Sequence, residues 1–300
     1  MSTALVTGGT GFIALYVIQL LLEQGHSVHT TVRSLKNTTK CQPLLDFQAQ
    51  HPNKLFLFEA DLLVSGSFKA AMQGCDVVYH IASPFLVPQQ IKNGLKECVE
   101  PALEGTRNVL GSVNDCPSVR RVVLTSSIAA MYGDCIEILS TENGGVLSEL
   151  AEREAWKMQK SQSVPNRWSL VVLNPGLVLG PSLAAASVSG SLFLIEQVYS
   201  GAYRMAGCPE LYYPIVDVRD VADAHVKAGD MGVSSSVQQG RYLIAPEGDT
   251  VNLLEIADMV RAVHHEPRML PGRNMPRLLM YAIAPFVGLS MKWMNGNMGV

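Results

Sequence analysis

With 300 residues, 48% of them hydrophobic, the chain can bury the core of one large α/β domain or of two smaller ones. Its net charge is −3 and its basic residues are dispersed; Arg120-Arg121 and Lys36 to Lys40 are too short to be tracts, so no nucleic-acid partner is expected. Six cysteines lie far apart without a C-x-x-C pair, which fits reduced thiols in a cytoplasmic protein and argues against a disulfide framework or a metal site.

In chain order, Thr3-Ala-Leu-Val-Thr-Gly-Gly-Thr-Gly-Phe-Ile-Ala14 reads as a buried strand, a glycine turn and the start of an apolar helix that continues to Leu22. No basic leader precedes it, and no secretory signal is expected. Further strands are predicted at Ser27–Val32, Lys54–Ala60, Asp76–Ala82, Arg121–Thr125 and Trp168–Asn174, with helices at Ser65–Met72 and Val99–Val113 between them. Short, wholly apolar strands alternating with helices predict an α/β fold, a doubly wound parallel sheet of the Rossmann type. Beyond Pro181 the rhythm changes: helices at Gly190–Ser200, Asp217–Gly229 and Val251–His264, and a strand at Arg241–Ala245. The expected organisation is a dinucleotide-binding domain over 1–180 and a smaller substrate-binding cap over 181–300, with 214–230 packing back on the first domain. The apolar stretch Leu278–Met291 is short for a membrane span and contains Pro285 and Gly288, so a packed helix pair is expected there. Adjacent His264 and His265 diverge on a helix and predict no metal.

The glycine turn carries the strongest chemical signal. A strand, a tight turn and a helix N-terminus in succession present backbone N–H groups and the positive end of a helix dipole to a phosphate. Gly8 permits the turn, Gly11 lets the main chain approach a pyrophosphate, and Ala14 stands where a small residue allows helix and strand to pack closely. An NAD site commonly ends its second strand on a carboxylate; here that strand ends Thr30-Thr-Val-Arg33, with Lys36 and Lys40 following. A guanidinium can stack on adenine and pair with a 2′-phosphate, so the expected cofactor is NADP(H).

These motifs together resemble the extended short-chain dehydrogenase/reductases, specifically the dihydroflavonol reductase and cinnamoyl-CoA reductase-like group. The resemblance rests on Val6-Thr-Gly-Gly-Thr-Gly-Phe-Ile-Ala14, Thr31-Val-Arg33, Ala60-Asp-Leu62, His80-Ile-Ala-Ser-Pro84, Val99-Glu-Pro-Ala102 and Gly105-Thr-Arg-Asn-Val109. It continues through Arg121-Val-Val-Leu-Thr-Ser-Ser127, Asn174-Pro-Gly176 and Asp217-Val-Arg-Asp-Val221. It implies an NADP-dependent carbonyl reductase acting on a small-molecule carbonyl or alcohol, as a monomer or homodimer. It also implies that Gly8, Gly11, Phe12 and Ile13 hold the pyrophosphate, beside the Arg33 and Lys40 already expected to bind the cofactor. Asp61 and Leu62 would then flank adenine, Ala82 and Ser83 the ribose side, and Pro175 to Val178 the nicotinamide. Ser127 would hydrogen-bond the substrate oxygen.

One family feature is missing. Relatives of this kind place a Tyr and, four residues later on the same helix face, a Lys that lowers its pKa and holds the ribose. Counting back from Leu150-Ala-Glu-Arg-Glu-Ala-Trp156 puts Gly144 at the Tyr position and Ser148 at the Lys position, and none of the nine tyrosines has a Lys four residues on. From Ser127 to Asn174 the chain is roughly twenty residues shorter than the family pattern, with the gap placed between Gly145 and Leu150. Tyr132 is the one nearby phenol that could substitute. The family pattern also continues past Gly288-Leu-Ser-Met-Lys-Trp-Met294, whereas this sequence stops at Val300. Two functional expectations follow, an active reductase and a nucleotide-binding pseudoenzyme; the glycine turn disfavours a third, an interaction module without cofactor.

Overall fold

The computed structural model describes residues 1–84, 93, 95–130, 145–164, 167–185, 189–210, 212–231, 237–248, 250–263 and 270–283. Tyr132, Gly144 and the His264-His265 pair lie outside them. Seven strands form the main sheet: β1 (Thr3–Val6), β2 (Ser27–Val32), β3 (Leu55–Glu59), β4 (Val77–His80), β5 (Arg121–Thr125), β6 (Ser169–Pro175) and, late in the chain, β10 (Gly240–Ile244). All pair in parallel, in the order β10-β6-β5-β4-β1-β2-β3. Chain order therefore reverses between β1 and β4, and the crevice beside that reversal is where open α/β sheets bind their ligands.

The sheet is covered on both faces, which explains the unbroken apolar strands. Ala4 and Val6 face α1 (Phe12–Glu23), whereas Leu5 faces the opposite core, and the same alternation runs through β4, β5 and β6. On the first face α1 packs against a helix at Val218–Gly229, labelled α7 below. On the second lie α3 (Lys69–Met72), α4 (Glu100–Asp115) and α5 (Gly145–Lys160). Asp217 caps α7 by accepting from the Arg219 amide, and α7 packs against α1.

Several elements differ from expectation. A helix over Thr38–Gln50 (α2) has no counterpart in the sequence reading, because its polar start and internal Pro43 obscure the apolar spacing of Cys41 and Leu44. Asn37 starts it, its Oδ1 accepting from the Lys40 amide at 3.2 Å. Replacing Asn37 with Ala should cost about 0.5–2 kcal/mol, read as a drop in the urea midpoint of unfolding. The helix expected from Ser65 forms only at Lys69, after a run of turns, and a π-turn at Leu95–Val99 leads into α4. The strand expected within the C-terminal part is no addition to the fold: β10 pairs with β6 and ends the main sheet.

The remaining elements are β7 (Leu177–Leu179), α6 (Gly190–Tyr199), β8 (Tyr212–Tyr213), β9 (Ile215–Asp217), β11 (Val251–Asn252), α8 (Leu253–Val263) and α9 (Arg277–Ile283). They form two two-stranded sheets, β7 with β9 and β11 with β8, and a separate small core around Val198, Cys208, Leu253, Ile256 and Ala257. No helix among the described residues is long and apolar enough to cross a membrane.

Candidate functional site

Apart from Lys40 in α2 and Val178 in β7, the residues singled out from sequence lie at or soon after the carboxyl ends of the parallel strands, along one rim of the sheet. Gly8 to Gly11 turn sharply between β1 and α1: Gly8 has φ +71°, and the Gly11 amide closes the turn on the Gly8 carbonyl at 2.8 Å. A Cβ on Gly8 would lie 3.0 Å from Ala82 Cβ and 3.1 Å from Ala82 Cα, so this loop and the residue beyond β4 form the two walls of the crevice. Gly9 is equally confined, since its Cβ would reach within 2.1 Å of Thr30 Oγ1. Gly11 starts α1 without any side-chain cap, and the first turn of the helix holds no acidic residue. The first helical bond is Leu15 to Gly11, which leaves the N–H groups of Phe12, Ile13 and Ala14 without helical acceptors. A cradle that glycines keep open, beside unpaired helical donors, fits a pyrophosphate.

Thr7, which sequence reasoning passed over, fixes the far wall. Its hydroxyl accepts from the Ile81 and Ala82 amides at 3.1 and 3.0 Å and lies 3.2 Å from His80 Nδ1. The proton of that hydroxyl has two acceptors in reach, His80 Nδ1 and the Tyr79 carbonyl at 3.5 Å, and burial keeps the His80 imidazole neutral. His225 is held neutral too: Nδ1 donates to the Val221 carbonyl at 2.7 Å, and Nε2 accepts from Thr125 Oγ1 at 2.7 Å. Burial pushes both histidines down to about 4. The unfolded chain therefore binds more protons than the folded one between about pH 4 and 6.5. Stability should fall as pH drops through that window, by up to about 1.4 kcal/mol per pH unit for each histidine. Urea unfolding at pH 7 and pH 5 checks this, and His225→Gln should flatten the dependence.

On the outer side of the rim, Arg33 and Lys40 are exposed, and neither forms an ion pair among the described residues. Asp61 is partly buried in a turn in which its Oδ1 accepts from the Leu63 amide. Leu62 packs against Gly105 of α4, and its carbonyl accepts from Asn108 Nδ2 at 2.7 Å. Ser83 is exposed. Pro175 and Val178 are buried where the chain leaves β6, with Gly176 pressed so close that a Cβ there would meet the Pro214 carbonyl at 2.2 Å.

Ser127 is half-buried just beyond β5. Its Oγ accepts from the Ala129 amide at 3.1 Å, which leaves its own proton free to donate. Behind it sits a polar cluster that the motif reading missed. Glu152 of α5 is buried and pairs with Arg241 of β10 at 2.5 Å, while Asn174 at the end of β6 donates to the Ser127 carbonyl at 3.0 Å. The signal was present: Glu152 shares a helix face with buried Ala155 and half-buried Trp156, and a carboxylate on an apolar face needs a partner.

The sequence profile of the NAD dependent epimerase/dehydratase family matches residues 4–245, the whole span from β1 to just beyond β10. The chain belongs to that family. Among its relatives, a tetraketide alpha-pyrone reductase 2 of Arabidopsis thaliana is 38% identical over 248 residues, covering 76% of this chain and 74% of the relative. The cinnamoyl-CoA reductase CAD2 of Medicago truncatula is 36% identical, over 74% and 71% of the two chains. Solved structures share the fold. The Gre2 protein of Candida albicans in complex with NADPH superposes with a TM-score of 0.75 at 23% identity, over 99% of this chain and 97% of that one. Vestitone reductase from alfalfa gives 0.67 at 24%, with the same coverage. The curated relatives are named as reductases, so the expected oxidoreductase class and the expected group within the family are met.

Proposed function

We propose that this protein binds NADP(H) along the strand-end rim and that its fold is built to reduce a carbonyl of a small molecule. The observation that carries the reading is the β1–α1 loop: a Cβ on Gly9 would strike Thr30 and one on Gly8 would press on Ala82, the helix N-terminus is uncapped, and Ala82 closes the opposite wall. Gly8, Gly11, Phe12 and Ile13 would hold the pyrophosphate; Asp61, Leu62, Ala82 and Ser83 would line the adenosine and ribose side; and Pro175 and Val178 would back the nicotinamide. When bound, the reduced nicotinamide supplies a hydride. Ser127 would donate a hydrogen bond from its hydroxyl to the substrate oxygen and stabilise charge developing there, with the Ala129 amide fixing the direction of the hydroxyl. Relatives bearing reductase names support the same reading, and so does a structural neighbour complexed with NADPH.

Arg33 and Lys40 select the phosphorylated cofactor in this account. Arg33→Ser should weaken NADPH binding on the order of 10- to 100-fold, as expected for a lost charge-assisted hydrogen bond, and leave NADH nearly unaffected. Titrating both cofactors by fluorescence reads this directly; equal losses for the two would sink the phosphate assignment.

A second reading is favoured by a specific observation, the absence of any Tyr-x-x-x-Lys. In it the chain binds NADP(H) as a pseudoenzyme. Turnover of a carbonyl panel by the chain as it stands separates the two readings: robust turnover supports the reductase, and tight NADPH binding without turnover supports the pseudoenzyme. Free thiols at Cys41, Cys75, Cys116 and Cys208, all buried, fit the reducing cytoplasm we propose as its location.

A further inference from the structure

The carboxylate of Glu152 is a junction between four parts of the rim. Its Oε2 accepts from Ser126 Oγ at 2.9 Å, Arg241 Nη2 at 3.0 Å and Asn174 Nδ2 at 3.1 Å. Its Oε1 accepts from Arg241 Nε at 2.5 Å and from the Trp156 indole at 3.3 Å. The side chain is 4% exposed, whereas that of Arg241 is 39% exposed. Both partners reach past each other to the chain around Ser127. Arg241 Nη2 also donates to the Ala130 carbonyl at 3.0 Å, and Asn174 Nδ2 to the Ser127 carbonyl at 3.0 Å. Asn174 can point its amide only this way, since both neighbours accept; its Oδ1 is left buried without a donor.

The turn from Ser126 to Ala130 is thereby held at three points, Ser126 Oγ, the Ser127 carbonyl and the Ala130 carbonyl, all leading to one ion pair. Within that turn the Ala130 amide closes on the Ser127 carbonyl at 2.9 Å and the Ala129 amide orients Ser127 Oγ. We infer that Glu152 and Arg241 are positioning residues, which set the direction of the Ser127 hydroxyl through the turn they clamp. The inference rests on the reading of Ser127 as the group that polarises the substrate oxygen, but it makes a claim of its own about where that hydroxyl points.

The Ala129 amide gives a readout that needs no turnover. In the ¹H–¹⁵N spectrum of the deuterated full chain, Ser127→Ala supplies the shift of an Ala129 amide that has lost its acceptor. Glu152→Gln replaces one acceptor oxygen with an amide among five donors, and should carry the Ala129 resonance most of the way to that reference while NADPH affinity is unchanged. Arg241→Lys keeps the charge but cannot bond Glu152 and Ala130 together, so it should move the same resonance in the same direction; it serves if the glutamine variant fails to fold. Where the wild-type chain turns over, both variants should lower kcat on the order of 10- to 100-fold without raising KM for NADPH. A pair that only stabilised the fold would lower the melting temperature and leave Ala129 in place, and that result overturns the inference. Failure of the wild-type chain to bind NADPH would instead defeat the functional reading and leave the Ala129 result interpretable.

Discussion

Inserting a family-like segment that carries Tyr-x-x-x-Lys ahead of Leu150 should raise NADPH-dependent turnover of a carbonyl by about 10²–10⁴-fold, the usual contribution of a positioned general acid. The geometry of α5 says where the pair belongs. Glu152 bonds Ser126 and Asn174, so the helix face bearing it is the one turned toward the ends of β5 and β6. In an inserted segment that continues the helix, the residues four and eight before Glu152 would share that face by helical spacing. A Lys and a Tyr there would project toward the rim that carries Ser127, with the ammonium lowering the phenol's pKa. An insertion with Phe in place of Tyr keeps the Lys and the added length, and should restore affinity for the cofactor without the gain in turnover. Equal turnover with and without the Tyr would mean that the chain already has its proton donor, and the pseudoenzyme reading would fall with it.

The sheet was legible because parallel strands covered on both faces have an unmistakable composition. Ser27–Val32 and Arg121–Thr125 came out at the bounds read from their β-branched runs, since nothing on either face interrupts them. Helices were read well where one face alone is apolar, as at Val218–Gly229, and missed where capping decides, as at Thr38–Gln50. The strand at Gly240–Ile244 was seen, but its place beside β6 depends on pairing across some 65 residues of sequence, which local pattern does not encode. At the candidate site, the glycine turn and the serine pair were singled out because they stand in a recognisable order. Thr7 and Arg241 were passed over because they carry no signature apart from the partners they meet in three dimensions, whereas Glu152 was legible only as a carboxylate on an apolar helix face.

Two glycines give the sharpest test of the cofactor cradle. Gly8 and Gly74 have nearly the same backbone, φ +71° and +73°, so an alanine at either pays the same left-handed strain of about 1–2 kcal/mol. Their surroundings differ completely: a Cβ at Gly74 meets nothing within 4 Å, whereas one at Gly8 presses on Ala82 across the crevice. Gly74→Ala should therefore lower stability and leave NADPH affinity as it was. Gly8→Ala should lower stability by at least as much and weaken NADPH binding on the order of 100-fold or more. The reason is that a shifted loop withdraws the Phe12 and Ile13 amides from the phosphates, and charge-assisted hydrogen bonds are worth about 1.5–3 kcal/mol each. Denaturant melts give the first quantity and fluorescence titration the second. If the two variants lost affinity equally, the loss would follow from strain alone, and the β1–α1 loop would be an ordinary turn rather than the seat of a dinucleotide.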